Sequence, residues 1–458
     1  MSLSFTEIVD RAINTGEKIN VKDFDMKVFR ETERLKEKYG IKFDKENVIN
    51  TDDDMADRLF LAGKEFYKNM GTYVMDSRRV IKFTESEIGE ALNEVPGFIW
   101  IGEGNDKRIM KHRGVEDQTL PIIQGGVIGG NATEEFYVPL YQSVAQEQLI
   151  DSIYFDPPHI IEGRAVMHGS PLEIHSARSA AMWAREAITQ AGRPGMHLLG
   201  GAGSAVADIS TCQEEIGIRP SDAICAPTTS ELKIDYDSLN KIMHTLHYNC
   251  MRQVWWAPVI GGFAGGAEGS AIAAVGGLFH GLLVGQGAKG SAYFDLQVTP
   301  YYKAGATDRL SLWILSVAGQ AIARNTKAIL QGTVTTSAGP GTKMMLYEIA
   351  ASAISQVVSG MHIFGVRIQK PTKENHGTAL ESRWVAEASR AAVNLNRKDG
   401  SSIVAKLLSN YEDNIKNAPE GGNFFDLYDT RKLAPHEDYL RIYEEVRREI
   451  AKMGLPIN

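Results

Sequence analysis

The sequence predicts an α/β fold, a (β/α)₈ barrel with helical extensions at both ends. Eight short runs rich in apolar and β-branched residues alternate with stretches of helical periodicity between residues 120 and 366. Strand and helix alternating eight times is typical of this barrel. No run is followed by the GxGxxG spacing of a dinucleotide site, which disfavours a doubly wound open sheet, the alternative for such a pattern. Glycine doublets follow several runs, as expected at tight turns between a strand and a helix.

The predicted strands follow one another at intervals that leave room for a helix between each pair. The segment before them and the segment after them carry the charged, amphipathic pattern of exposed helices, and Thr84 with Glu87 forms a capping box. We therefore expect a helical extension over 1–115, the barrel over 116–395 and helices packed on the barrel over 396–458. The eight strands are predicted at 120–126, 149–156, 195–201, 221–227, 252–260, 290–298, 327–336 and 360–366.

Composition excludes several classes of function. The chain has 458 residues, 43% of them hydrophobic, and a net charge of −8 without any basic run, which argues against nucleic-acid binding. The longest apolar run, at 271–285, is too short and too rich in glycine to span a bilayer, so we expect a buried helix there. Three cysteines without a CxxC pair, Cys212, Cys225 and Cys250, favour a reducing, cytoplasmic compartment.

Candidate site residues follow from the barrel itself, because reacting groups in such folds come from the carboxyl ends of the strands. Glycine-rich loops follow several of these ends, including Gly261 and Gly262, and together they favour a broad opening accessible to a bulky ligand. The polar, sulfur-containing or aromatic side chains at the predicted strand ends, with one leucine, are Gln124, Asp156, His197, Leu199, Cys225, Trp255, Trp256, Asp295, Gln297 and Thr333.

Several of these residues have a structural alternative that the sequence leaves open. His197 is either a general base or a packed histidine, and Cys225 is either a nucleophile or a small buried side chain. The two could supply a pair of metal ligands, but no third ligand presents itself, so we predict no metal site. Strand alternation sends only one of Trp255 and Trp256 inward, either to fill the core or to bind a cation through its ring face.

Longer motifs give the chain a family resemblance. "AGRPGM" before the third predicted strand resembles the corrinoid-dependent monomethylamine methyltransferases of methylotrophic methanogens. The likeness extends over nearly the whole chain, from "LKEKYGIKFD" to "PHEDYLRIYEEVRREI", and the order of the motifs is kept. The others are "PIIQGG", "SPLEI", "SELKIDYDSL", "PVIGGFAGGAEGS" and "AGPGT".

The resemblance implies a homo-oligomeric (β/α)₈ barrel enzyme that transfers a methyl group to Co(I) of a corrinoid (cobalamin). The corrinoid is carried in trans by a separate protein, so we expect no tightly bound cofactor. The glycine-rich opening then resembles a docking surface for the corrinoid protein, with Gln124, Gly125, Gly126, Gly261 and Gly262 as its expected residues. Neither a nucleic acid nor a membrane is an expected partner.

The resemblance also shows what this sequence lacks. In the family the third strand ends in pyrrolysine, which forms an adduct with methylamine, and the matching position here is Leu199. Cys225 and Trp255 fall where the family has glutamates, and Thr333 falls where it has glutamine. Leucine has no electrophile, and loss of the carboxylates removes proton transfer. Because neutral methylamine is a poor methyl donor without such help, we expect a different donor.

A quaternary amine is the expected donor, since it leaves as a neutral tertiary amine and its charge suits an aromatic ring face. The residues expected to carry the chemistry are His197, Leu199, Cys225, Trp255 and Thr333, and those expected to bind the substrate are Trp255, Trp256, Asp295 and Gln297. Two alternatives remain open. One is a binding protein that has lost catalysis, and the other is a metal or acid–base lyase or hydrolase using His197, Cys225 and Asp295.

Overall fold

Eight parallel strands close into a barrel in which each strand pairs with the next along the chain and the last pairs with the first. The structure is a computed structural model that describes residues 3–201, 203–287, 292–301, 305–368 and 373–457. The strands are β1 (Ile123–Ile128), β2 (Ser152–Phe155), β3 (His197–Gly200), β4 (Ala223–Pro227), β5 (Met251–Trp256), β6 (Ala292–Leu296), β7 (Leu330–Thr336) and β8 (His362–Ile368).

A helix follows each strand, as the crossover between parallel strands requires. The helices are α1 (Glu134–Ala145), α2 (Pro171–Gln190), α3 (Ala205–Ser210), α4 (Tyr236–Tyr248), α5 (Ala267–Leu283), α6 (Arg309–Asn325), α7 (Lys343–Val357) and α8 (Ala379–Ala392). Each of the eight predicted strands overlaps an observed one, so the predicted fold class is confirmed. Residues 290 and 291 of the sixth predicted strand lie outside the described residues.

The segment before the barrel holds the predicted helices and, in addition, short strands. The helices are Phe5–Asp10, Val21–Tyr39, Asp53–Met70 and Glu85–Glu94. A π-helical turn at Arg11–Thr15 follows the first of them, and Thr84 and Glu87 form the predicted capping box. The sequence did not indicate the strands because each has only two or three residues, too few to show a periodic pattern. They are Glu17–Lys18, Thr72–Val74 and Arg79–Ile81, which form a sheet with Lys233–Ile234.

An antiparallel hairpin, Phe98–Ile101 with Arg108–Lys111, covers the amino end of the barrel, and we call it the plug. Successive residues of its first strand alternate between exposed and buried, so Ile99 and Ile101 face the barrel. They pack in one apolar cluster with residues that line the barrel interior. The backbone N–H of Gly102, directly after the first strand of the plug, donates a hydrogen bond to the carbonyl of Ser221 and anchors the hairpin. The amino end of the barrel is therefore closed.

Further elements complete the chain. Helices at Arg397–Tyr411 and Glu437–Met453 pack against α7, and a short helix, Phe424–Leu427, lies between them. The apolar run at 271–285 lies mainly in α5, which is buried as predicted. Within the described ranges no helix combines the length and apolarity needed to cross a membrane. The remaining short elements are Gly104–Asp106, Ile160–Ile161, Arg164–Ala165, Val259–Ile260, Thr299–Pro300, Glu412–Asn417, Tyr428–Asp429 and Ala434–Pro435.

Candidate functional site

A cavity of about 200 Å³ lies inside the barrel at its carboxyl end. This volume suits a small molecule of a few heavy atoms and is far too small for a macrocycle. Partly exposed side chains such as those of Trp255 and Arg367 mark the outer end of the cavity, and fully buried ones such as that of Gln253 mark the inner end. The lining residues are Ile128, Gly129, Tyr154, Asp156, Cys225, Gln253, Trp255, Gln297, Thr333, Phe364 and Arg367.

Strand alternation explains why these residues meet. Side chains two positions apart on a strand share a face, which puts Gln253 and Trp255 of β5 inside the barrel together. The same spacing brings Tyr154 and Asp156 to the cavity at the end of β2. Trp256, the next residue after Trp255, lies on the opposite face of β5 and points outward. The cavity is thus built from alternate residues of neighbouring strands, a rigid arrangement.

Three aromatic side chains, Tyr154, Trp255 and Phe364, line the cavity, and we call them the aromatic cage. The rings of Tyr154 and Phe364 meet edge to face, with centroids 5.2 Å apart and planes at 79°. The indole Nε1 of Trp255 donates a hydrogen bond to Oε1 of Gln297 at 3.1 Å, which fixes the orientation of its ring. Aromatic faces of this kind attract cations, quaternary ammonium groups above all.

Two opposite charges lie at the outer end of the cavity. Asp156 accepts hydrogen bonds from the Tyr154 hydroxyl and, at 3.1 Å, from the Gly129 backbone N–H. Burial raises the pKa of Asp156. Arg367 donates from Nη1 to Oε1 of Gln297 at 2.9 Å, so one amide oxygen orients both Arg367 and the indole of Trp255. A charged ligand group would meet a partner of either sign here.

Thr333 connects the cavity to a buried carboxyl group. Its hydroxyl donates to Oδ2 of Asp295 at 2.7 Å, and Asp295 is fully buried beneath it. Burial raises the pKa of Asp295 to about 8, against the opposing hydrogen bond from Thr333. A carboxyl group with that pKa is mostly neutral at pH 7, so Asp295 adds little negative charge to the cavity.

The inner wall is formed by Gln253 and Cys225, which are paired across β4 and β5. Burial raises the pKa of the Cys225 thiol far above its usual range, so the side chain is a neutral thiol. A neutral, deeply buried thiol is a poor nucleophile. This environment agrees with the small buried side chain that the sequence left as one of two interpretations.

Five of the candidate residues at predicted strand ends line the cavity together: Asp156, Cys225, Trp255, Gln297 and Thr333. They come from β4, β5, β7 and the ends of β2 and β6, and the parallel pairing of the strands brings their side chains to similar depths in the barrel. Asp295 does not line the cavity and reaches it only through the Thr333 hydroxyl. Its predicted position in direct contact with substrate therefore needs correction.

Three other predictions of position are wrong. His197 begins β3 near the amino end, where Ser152 lies 2.6 Å from its Nδ1, and burial lowers the pKa of His197 to about 3. Leu199 is fully buried in the barrel interior and does not line the cavity. Trp256 points outward and donates from Nε1 to the carbonyl of Ala274 in α5 at 2.9 Å. The side of the strand explains only Trp256, because His197 and Leu199 are buried inside the barrel without lining the cavity.

The expected docking residues fall into two groups. Gln124 is buried inside the barrel and hydrogen-bonded to Ser152, and Gly125 abuts Ile150 of the wall, where a Cβ would come within 2.9 Å. Gly126, whose φ is 130°, packs equally tightly on the backbone of β2. These three residues belong to the barrel wall, so their predicted place at the opening is wrong.

The second group comprises Gly261 and Gly262, which lie in the loop after β5. Gly261 is exposed, and its positive φ of 82° is one that glycine adopts without strain. We call the opening surrounded by the loops after the strands the mouth, and these two glycines lie on it.

Sequence reasoning missed the residues that give the cavity its character. Tyr154, Gln253 and Phe364 lie within the predicted strands, where a search confined to strand ends passes over them, and Arg367 directly follows the eighth predicted strand, whose end supplied no candidate. Period-two alternation could have found two of them, since Tyr154 precedes Asp156 by two positions and Gln253 precedes Trp255 by two. The residue ranges that the structure describes contain no group of three or more His, Cys, Asp or Glu side chains able to hold a metal ion.

Comparisons with known proteins agree with this architecture. The sequence profile of the family "Monomethylamine methyltransferase MtmB" matches residues 3–455. The chain is 32% identical to MtmB1 of Methanosarcina acetivorans and to MtmB of Methanosarcina mazei, each over 453 residues that cover 98% of this chain and 97% of the relative. It is similar to the crystal structure of the Methanosarcina barkeri monomethylamine methyltransferase, with a TM-score of 0.94, 31% identity and 99% of each chain covered.

Proposed function

Because the chain belongs to the monomethylamine methyltransferase family and is a methyltransferase, we propose that it demethylates a small quaternary amine. The methyl group is transferred to the cobalt of a corrinoid that a separate protein carries. The donor binds in the cavity with its cation against the aromatic cage. The acceptor approaches from the mouth.

The aromatic cage is the observation that carries this proposal. Tyr154, Trp255 and Phe364 surround a cavity whose volume, about 200 Å³, suits a small ammonium compound. Each cation–π contact contributes about 0.5–2 kcal/mol, more when water is excluded. Asp156 adds a carboxyl group near the rings, and although burial raises its pKa, a bound cation favours its ionised form. A permanent cation therefore finds both aromatic faces and a counter-charge.

The chemistry of a quaternary donor matches the residues present. The carbon–nitrogen bond breaks with its electron pair left on nitrogen, so the product is a neutral tertiary amine and no proton is transferred. The reduced corrinoid supplies the electron pair of the new carbon–cobalt bond. Cys225 is a neutral thiol, and Leu199, at the position matched to pyrrolysine, is unreactive and lies outside the cavity. Neither Cys225 nor Leu199 needs to act as an acid or a base in such a transfer.

Exposed apolar side chains around the mouth support the docking of a partner there. Among the large hydrophobic residues that the structure describes, Tyr301, Met167 and Val206 are the most exposed, at 80%, 72% and 62%. All three lie on segments that follow barrel strands, as do Ile160 and Phe263, and we call these five residues the rim patch. Exposed apolar clusters mark protein–protein contact sites. Since the cavity cannot admit a corrinoid, the rim patch would hold the corrinoid protein above it.

Methyl transfer to reduced cobalamin tests the proposal directly. The purified protein is incubated with cob(I)alamin and, in separate reactions, with tetramethylammonium, trimethylamine and monomethylamine, and the formation of methylcobalamin is followed by absorbance. We expect transfer from tetramethylammonium only. Absence of transfer from every quaternary amine offered, also with the cognate corrinoid protein as acceptor, would refute the proposal.

Monomethylamine is the second candidate donor, because the relatives that match this chain over its full length are named for it. The same assay separates the two candidates. Transfer from monomethylamine without transfer from tetramethylammonium would favour the second candidate and would require an activating group other than Leu199.

A further inference from the structure

Gln253 is a buried amide that nothing in the described part of the chain satisfies. Its side chain is fully buried, it lines the cavity, and neither Oε1 nor Nε2 has a hydrogen-bond partner. Buried polar atoms are nearly always hydrogen-bonded, and an unpaired one destabilises the fold. Both amide atoms are therefore available to a ligand in the cavity.

The position of Gln253 relative to the aromatic cage sets the shape of that ligand. Trp255 lies two residues further along β5 on the same face, so the two Cα atoms are about 7 Å apart along the strand. Trp255 is partly exposed toward the mouth, whereas Gln253 is fully buried. A donor that places its cation beside Trp255 can thus extend an arm inward to the amide.

The available atoms select a hydroxyl group for that arm. A hydroxyl both donates and accepts, and the amide offers it an acceptor in Oε1 and a donor in Nε2. The Thr333 hydroxyl, which donates to Asp295, leaves its own oxygen free to accept a second bond. A carboxylate arm fits less well, because Arg367, the cation that lines the cavity, lies at its outer end and is partly exposed. A carboxylate at the inner wall would bury its charge without a cation.

We propose that the methyl donor is a quaternary ammonium compound with a hydroxyl group on a short carbon arm, and that Gln253 binds this hydroxyl. The inference rests on the proposed function and narrows it to one class of substrate. It makes Gln253 a determinant of specificity that holds the donor with its methyl groups toward the mouth.

Calorimetric titration of the purified protein without any acceptor tests the inference. Two ligands of equal heavy-atom count are compared, (2-hydroxyethyl)trimethylammonium and propyltrimethylammonium, with carboxymethyltrimethylammonium as the charged alternative. The wild-type protein is expected to bind the hydroxyl compound about tenfold more tightly than the propyl compound, as two hydrogen bonds allow. It is expected to bind the carboxymethyl compound more weakly than the hydroxyl compound.

The variant Gln253→Met removes both amide atoms at nearly constant volume. We expect the tenfold preference to vanish in it while the affinity for propyltrimethylammonium is retained, and we expect the thermal unfolding temperature to be no lower than that of wild type. Equal binding of the hydroxyl and propyl compounds by wild type, or a preference that survives Gln253→Met, would overturn the inference. If tetramethylammonium is still demethylated in that case, the proposed function stands. Failure of every ammonium compound to bind would overturn the proposed function as well.

Discussion

Trp255 and Trp256 are neighbours in the chain but have opposite environments. Trp255 lines the cavity and is partly exposed, whereas Trp256 is buried against α5. The pleat of β5 sends one inward and the other outward. The two residue types are identical, so the alternation of side chains along the strand alone places one in the cavity and the other in the wall.

Replacing Trp255 by alanine is expected to weaken the binding of tetramethylammonium about tenfold, because one ring face of the aromatic cage is lost. Trp255→Phe keeps a ring and is expected to cost less. Isothermal titration calorimetry measures both. Trp100→Ala, at a half-exposed tryptophan on the plug, is the matched control and should leave the affinity unchanged. Equal affinities for wild type and Trp255→Ala would count against a cation at this ring.

Asp295 makes the stability of the protein depend on pH. The pKa of Asp295 is about 8 in the folded protein and near its ordinary value of 3.8 in the unfolded chain. As pH rises from about 4 to about 8, the unfolded chain loses this proton before the folded one does. The contribution of Asp295 to stability is therefore present below pH 4 and is lost progressively up to pH 8.

Asp295→Asn is expected to remove this loss, because the amide stays neutral and its oxygen can still accept from Thr333. The free energy of unfolding at pH 8 should exceed that of wild type by roughly 2–5 kcal/mol, with no difference near pH 4. Urea titrations across this range measure it. Asp413→Asn, at an exposed carboxyl group, is the control. A difference that did not change with pH would contradict a raised pKa at Asp295.

At the scale of elements, the plug contributes to the stability of the fold but lies at the opposite end of the barrel from the cavity. Ile101 packs into the barrel from the amino end, while the cavity lies at the other end. The two are connected only through side chains of the barrel interior. A change in the plug should therefore alter the stability of the fold without reaching the ligand.

Ile101→Ala is expected to lower the free energy of unfolding by about 2–4 kcal/mol, the usual effect of a cavity left by a buried isoleucine. Its affinity for tetramethylammonium should stay within twofold of wild type. Chemical denaturation and calorimetry measure the two quantities. Phe98→Ala, on the exposed face of the same strand, is the control and should change neither. Lost binding in Ile101→Ala at full stability would show that the plug shapes the cavity.

The barrel was predictable from sequence because its signals are local. Runs such as 221–227 combine apolar residues with glycine or proline at their ends, and Ala223–Pro227 forms the strand expected there. The hairpin that closes the amino end of the barrel was harder to predict from the sequence. The plug has the four-residue strands Phe98–Ile101 and Arg108–Lys111, whose pairing depends on the barrel beneath them. Short strands of this kind carry little signal of their own.

The site was predictable only in part, because a list of strand ends does not fix how deep each side chain lies in the barrel. Thr333 and Gln297 reach the cavity, but His197 and Gln124 lie deeper in the barrel. Which residues face the cavity depends on the register between strands, a long-range property. Arg367 illustrates this: register shifts on both sides of β8 precede it, and no sequence pattern indicates them.

At the scale of the whole molecule, the three most exposed of the large apolar side chains that the structure describes, those of Tyr301, Met167 and Val206, lie on segments that follow barrel strands. Phe263 and Tyr301 come from neighbouring loops that pair through Val259–Ile260 and Thr299–Pro300. This ribbon continues the barrel wall beyond β5 and β6. Two residues of the rim patch, Phe263 and Tyr301, thus directly follow an ordered extension of the sheet.

Tyr301→Ala is expected to raise the KM for the corrinoid protein about tenfold, since exposed tyrosines often contribute strongly to interfaces. The affinity for the methyl donor and the rate with free cob(I)alamin should not change. Steady-state kinetics with varied corrinoid protein provides the measurement. Leu120→Ala, at an exposed leucine just before β1, is the control at the other end of the barrel. Unchanged KM in Tyr301→Ala would place the docking surface elsewhere.

The plug has a kinetic consequence. Because it closes the amino end, the function proposed above would route the methyl donor, the demethylated amine and the corrinoid protein through the same opening. The donor would then have to enter before the corrinoid protein docks, and the amine could leave only after the corrinoid protein has departed. Such a reaction would follow a compulsory order in which excess corrinoid protein inhibits by blocking the entry of the donor. Turnover would be no faster than dissociation of the partner.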